Sequence, residues 1–138
     1  MTPLYMLDTN MLSYIAHGRS KAARARLLEG KNEADVCVSA ITQAEVRYGL
    51  AKRPEATMLR TLLEDLLRRI DVAPFDDSAA LRYGTMRAKQ EAMGKTLGPL
   101  DMLIAAHAVA LRAVLVTNDN VFRNLPDLAG VENWATDL

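Results

Sequence analysis

The sequence predicts an α/β fold: a short, mostly parallel central sheet with helices on both of its faces. Two observations carry that expectation. Short apolar runs of strand length alternate with longer helical segments along the whole chain, an order that builds parallel sheets through helical crossovers. The runs read as buried strands, apolar almost throughout. The 138 residues show no repeat, no low-complexity tract and no linker long enough to divide them, so residues 1–138 read as one domain.

Residues 3–7 (PLYML) form the first strand. Asn10 to His17 reads as a helix, and SKAARARLLEG as a second, with Ser20 as cap and Gly30 as stop. DVCVS is the second strand. ITQAEVRYGL is helical from Thr42, and Pro54 suits the first turn of the helix after it. In that helix Leu59, Leu62, Leu63, Leu66, Leu67 and Ile70 make one stripe, opposite Arg60, Glu64, Asp65, Arg68 and Arg69. Core contact is the default meaning of such a stripe; a homodimer face comes second. IDVAPF is the third strand, followed by a helix from about Ser78 to Gly94. GKTLGP is a loop, Pro99 opens the helix LDMLIAAHAVALR, AVLVT is a strand, and VENW is a last short one.

A chain of this length buries roughly 68% of the surface its unfolded form exposes, enough for a core without staples. The lone cysteine, Cys37, excludes a disulfide framework within the chain and fits a reducing cytoplasm. The N-terminal run lacks a basic region and is broken by Asp8, a poor signal peptide. No apolar stretch approaches the ~20 residues of a membrane helix. Net charge is zero, 17 basic against 17 acidic residues, which gives no nucleic-acid signature. The distribution is uneven: Arg19, Lys21, Arg24 and Arg26 have no acid among them, a local basic stripe.

Open parallel sheets bind ligands beyond the carboxyl ends of their strands. Four acids fall at such junctions. Asp8 directly follows the first strand. Glu45 lies in the first turn of the helix after the second. Asp101 lies in the first turn of the helix opened by Pro99, and Asp119 lies two residues after Thr117, which ends AVLVT. Each has a purely structural reading. Asp8 could cap the following helix; Thr42 and Glu45 could form a capping box; Asp101 gains from the helix dipole; Asp119 could be a turn residue. Together they point elsewhere. At an effective dielectric near 20, one like-charge pair at 4 Å costs on the order of 4 kcal/mol. A divalent cation removes that cost. Mg²⁺ and Mn²⁺ prefer hard oxygen ligands, and such a site suits phosphodiester hydrolysis.

MLDTN, SAITQAEVRYG, GPLDMLIAAHA and VTND occur in the order and spacing of PIN-domain ribonucleases. More narrowly, the chain resembles the VapC-type toxins of bacterial toxin–antitoxin pairs, from Leu4 to the terminal VENW. The resemblance implies a three-layer α/β/α fold and an endoribonuclease dependent on Mg²⁺ or Mn²⁺. It implies Asp8 and Asp101 as principal metal ligands, with Glu45 and Asp119 completing the acidic pocket through waters or a second metal. Thr9, Asn10 and Thr117 would orient the carboxylates. A metal-activated water would attack phosphorus in line, and the 3′ oxygen would leave. Homodimers are implied too, as is a small antitoxin partner that blocks the pocket in a hetero-oligomer. The GPLDMLIAAHA form is closest to toxins that cut structured RNA such as transfer RNA.

Arg47, Lys52 and Arg53, just beyond Glu45, are candidates for phosphate contact; an ordinary solvated surface is their other reading. The stripe Arg19 to Arg26 would serve antitoxin or RNA. His107 falls amid Leu100, Leu103, Ile104 and Leu111 and reads as a satisfied core histidine; His17 complements a helix dipole, and Cys37 packs. Two other function classes stand beside the nuclease. One is a phosphatase with an aspartyl nucleophile at Asp8, although the acid that chemistry wants two residues on is here Asn10. The other is a non-catalytic acidic pocket that binds a basic peptide.

Overall fold

The computed structural model describes residues 3–29, 35–95 and 97–138. Five strands and six α-helices follow in the order β1 (Tyr5–Leu7), α1 (Thr9–His17), α2 (Lys21–Glu29), β2 (Val36–Ser39), α3 (Ala40–Ala51), α4 (Thr57–Arg69), β3 (Asp71–Ala73), α5 (Asp77–Ala92), α6 (Pro99–Leu111), β4 (Val114–Val116) and β5 (Val131–Glu132), with a 3₁₀ turn at Asn120–Asn124. The strand order is β3-β2-β1-β4-β5, and every pairing is parallel. The chain first builds outward from β1 through β2 to β3, then crosses to the other side for β4 and β5. The switch point lies between β1 and β4.

Alternation along the short strands supplies two cores. Leu7, Val36, Val38 and Val116 face α1, α2 and α4, burying Leu12, Ile15, Leu27, Leu63, Leu66 and Leu67. Met6, Cys37 and Leu115 face the other way, onto Met86 of α5 and Met102, Ile104 and Ala105 of α6. The cross-strand register explains the sorting: Met6 lies opposite Cys37 and Leu115, and Leu7 opposite Val38 and Val116. Helices on both faces of a parallel sheet make the three-layer α/β/α architecture. No helix among the described residues is long and apolar enough to cross a membrane.

Several boundaries differ from the sequence expectation. The helix expected from Thr42 begins at Ala40, because the Ser39 side chain takes the Ile41 N–H at 3.0 Å and caps it two residues earlier. The Thr42–Glu45 capping box therefore does not form, and Glu45 lies in the second turn. Pro54 belongs to the turn before α4, which starts only at Thr57 without a side-chain cap. The leucine stripe is core at Leu63, Leu66, Leu67 and Ile70, but Leu62 is exposed at its margin. α5 ends at Ala92, and Gly94 follows in the left-handed region at φ 69°. Gly30, the expected stop of α2, lies outside the described residues.

Ser20 caps α2 as expected, its Oγ accepting the Ala23 N–H at 3.0 Å. A partner from the far end of the chain completes this cap. The Asp137 carboxylate accepts the Ser20 hydroxyl at 2.6 Å and the Lys21 N–H at 3.0 Å. Ser20→Ala removes both contacts and should cost about 1 kcal/mol, the usual worth of a cap. A lowered urea midpoint with an unchanged slope is the expected reading.

Candidate active site

Asp8 is placed by two elements at once. Its N–H donates to the Val116 carbonyl at 3.0 Å, extending the β1–β4 ladder by one residue, while its extended backbone ends the strand. Its Oδ1 accepts the Met11 N–H at 2.8 Å and caps α1. The capping reading thus holds, and it occupies only Oδ1, so that Oδ2 is left to face the switch point. There it accepts the Thr117 hydroxyl at 2.5 Å. Thr117 is itself buried and takes the Asp119 N–H at 3.0 Å, so one hydroxyl links the ends of β1 and β4 to the following turn.

Asp8, Thr9, Asn10, Glu45, Asp101 and Asp119 line one open cleft of about 200 Å³ above the carboxyl ends of β1 and β4. The four acids come from four places: the end of β1, the second turn of α3, the first turn of α6 and the turn after β4. Gly98 and Pro99 start α6 so that Asp101 stands at its third position. Thr9 donates to Glu45 Oε1 at 2.7 Å and orients it, with Thr42 Oγ1 3.4 Å from Thr9 Oγ1. Asp119 Oδ1 accepts the Val121 N–H at 3.0 Å, which fixes its rotamer as a cap of the 3₁₀ turn. Asn10 lines the cleft itself and, among the described residues, makes no hydrogen bond to the carboxylates.

The charges feel one another. Burial, the larger cause, pushes Asp8 up to about 6 from 3.8; the Thr117 and Met11 hydrogen bonds oppose that rise, and the Asp101 and Asp119 carboxylates add to it. Asp101 is also raised, first by burial and then by Asp119 and Glu45. Among the described residues no three His, Cys, Asp or Glu side chains are drawn tightly enough to enclose an ion unaided. The quartet is therefore a looser rim than a close cage. An all-carboxylate rim with two acids held above their ordinary range, around a space wide enough for waters, fits a hydrated hard cation such as Mg²⁺ or Mn²⁺.

None of Arg47, Lys52 and Arg53 lines the cleft. Arg47 is ion-paired with Glu64 of α4, Lys52 lies 5.1 Å from the Tyr48 ring, and Arg53 is exposed. In the basic stripe, Arg26 is committed to Glu132 at 3.3 Å and to the Trp134 ring at 5.0 Å. His107 is buried as expected but not satisfied: Nδ1 lies 2.7 Å from Ser39 Oγ, and Nε2 has no partner. Sequence spacing gave no sign of the Ser39–His107 contact or of the approach of Thr42 to Thr9, because they join residues 68 and 33 apart.

A family model described as PIN domain matches residues 5–128. Over 134 residues the chain is 35% identical to Ribonuclease VapC2 of Rickettsia felis, covering 95% of this chain and 98% of that protein. The chain belongs to the PIN-domain family, as a VapC-type ribonuclease. It is also 31% identical over 133 residues to the tRNA(fMet)-specific endonuclease VapC of Shigella flexneri, covering 95% of this chain and 98% of the relative. The DNA-bound VapBC of Salmonella typhimurium shares this PIN fold at a TM-score of 0.88 and 30% identity, covering 96% of this chain and 99% of the VapC-like chain it matches.

Proposed function

We propose that residues 1–138 form a single PIN domain that cuts RNA in the cytoplasm with Mg²⁺ or Mn²⁺. It serves as the toxin of a toxin–antitoxin pair, with transfer RNA as its substrate class. The observation that carries this reading is the convergence of Asp8, Glu45, Asp101 and Asp119 on one cleft at the sheet's switch point. Asp8 and Asp101 would hold the cation, and Glu45 and Asp119 would hold its waters. Bound there, the ion supplies an activated water and neutralises charge that builds on the phosphate oxygens. The Thr117 hydrogen bond fixes Asp8 and favours its ionised form, and Thr9 fixes the direction of Glu45.

The transfer-RNA reading draws on the Shigella relative's named specificity, and the antitoxin reading on relatives solved as VapBC assemblies. A small antitoxin that presents a basic side chain to the acidic cleft would silence it, in a hetero-oligomer built on a toxin homodimer. Of the three candidate cations beyond Glu45, Lys52 and Arg53 stand just past the end of its helix without an ion pair among the described residues, whereas Arg47 would first have to leave Glu64.

The test is cleavage of purified transfer RNA and messenger RNA with Mg²⁺, with Mn²⁺ and with a chelator, beside Asp101→Asn. Cleavage that needs metal, returns when Mn²⁺ is restored and is lost in the variant is the expected result. Cleavage that persists in chelator, or a phosphoryl group trapped on Asp8, overturns the reading.

A further inference from the structure

The Ser39–His107 contact lies outside the acidic cleft, yet it joins the two helices that carry half of the acids. Ser39 ends β2 and caps α3; His107 stands in the middle of α6. Both are buried, at 0% and 1% exposure. Ser39 Oγ already accepts the Ile41 N–H, so its hydroxyl proton is free to go to Nδ1 of a neutral ring, 2.7 Å away. Burial, the largest influence on the ring, holds it below its usual range and favours that neutral form. Nε2 is left without a partner, the one such buried side-chain nitrogen or oxygen among the described residues. The Pro74 backbone lies close enough to act on the ring, but the Ser39 bond at Nδ1 is the imidazole's one well-formed side-chain contact.

The spacing gives that bond a purpose. Glu45 lies six residues after Ser39 on α3, and Asp101 lies six residues before His107 on α6. At 1.5 Å per residue each interval is about 9 Å. The two helices pack on each other, and Ser39 pairs with His107 while Glu45 meets Asp101 in the cleft, so the pairs form two rungs about 9 Å apart along the axes and turned about 120° from one another around each helix. The upper rung consists of two carboxylates that repel. A side chain about 5 Å from the axis moves about 2 Å when its helix rolls by 20°. That is as large as a whole Mg²⁺–oxygen bond, which is about 2.0–2.1 Å.

We propose that Ser39 and His107 are positioning residues: their buried hydrogen bond fixes the roll of α6 against α3 and so holds Asp101 and Glu45 at the separation that binds the cation. This rests on the metal-dependent reading of the cleft. The test measures Mn²⁺ affinity directly, by titration without RNA, together with the melting temperature of each variant. His107→Asn keeps a polar atom where Nδ1 stands; His107→Gln keeps one only near Nε2; His107→Leu keeps neither. Mn²⁺ affinity within about twofold of wild type is expected for the Asn variant. The Gln and Leu variants and Ser39→Ala should weaken it about tenfold, the low end of what supporting hydrogen bonds contribute to metal sites. Ser39→Ala with His107→Leu should bind no worse than either alone, as expected for two halves of one contact. Equal affinity across the His107 series overturns the proposal, as does a loss that follows melting temperature and ignores Nδ1. Failure of the wild type to take up Mn²⁺ overturns the metal reading itself, and the positioning role with it.

Discussion

Asp8→Asn should abolish RNA cleavage and, in metal-free buffer at pH 7 to 8, make the protein more stable. The loss of activity follows from removing the most buried acid of the cleft. A ligand that supports several kcal/mol of charge stabilisation is worth roughly 10³-fold in rate. The gain in stability follows from the same burial. The Asp8 carboxyl titrates near 6 in the folded protein against 3.8 when exposed, a difference of about two units, or about 3 kcal/mol. A folded-state value raised in this way means that the stability contribution is fully present below 3.8 and is lost as pH rises through 6. Above that, folding must hold an ionised carboxylate out of water. Asn is neutral at every pH and still offers Oδ1 to the Met11 N–H, so the cap of α1 survives. Thermal melts from pH 4 to 8 should show the variant's advantage grow through pH 6 and vanish near pH 4. A variant no more stable than wild type at pH 8 would mean that Asp8 is not burdened in this way.

Thr117→Val should lower the cleavage rate about 10- to 100-fold and move the acid limb of its pH profile upward. Thr117 donates the hydrogen bond that most opposes the rise of Asp8. Valine has the same shape but no donor, so Asp8 would ionise only at still higher pH. The Asp119 N–H would lose its acceptor at the same time, loosening the turn that carries the fourth acid. Thr117→Ser restores the hydroxyl and should bring back most of the rate and the original profile. Rate–pH curves for the three proteins, at one Mn²⁺ concentration well below saturation so that protons compete with the metal for Asp8, decide the matter. An unshifted acid limb in the valine variant would show that Thr117 does not tune Asp8.

Both predictions concern groups whose place was readable in the sequence, and the reason is topological. A parallel sheet sends the end of every strand to one edge, so Asp8 and Asp119 could be placed there from strand order alone, and Asp101 from Pro99 at the start of its helix. Glu45 was legible as an acid of the cleft but not in its local geometry. Ser39, not Thr42, caps α3, because a polar side chain at the strand's last residue took the first free N–H. What stayed hidden was long-range. The hydroxyl of Thr9 on Glu45, the imidazole of His107 on Ser39 and the carboxylate of Asp137 on α2 all join residues 36 or more apart. No period or cap rule encodes such pairs. The commitment of Arg47 to Glu64 likewise depends on how α3 and α4 come to lie side by side.

The strand order has one more consequence, for the moment of synthesis. β1 occupies the middle of the sheet, and one of its two neighbours, β4, comes 109 residues after it when counted from Asp8 to Thr117. While the ribosome is still making the second half of the chain, Asp8 has no Thr117, no Asp101 and no Asp119 beside it. On the proposed reading, an enzyme that attacks RNA is thus translated without its cutting edge and gains it only after Asp119 has emerged.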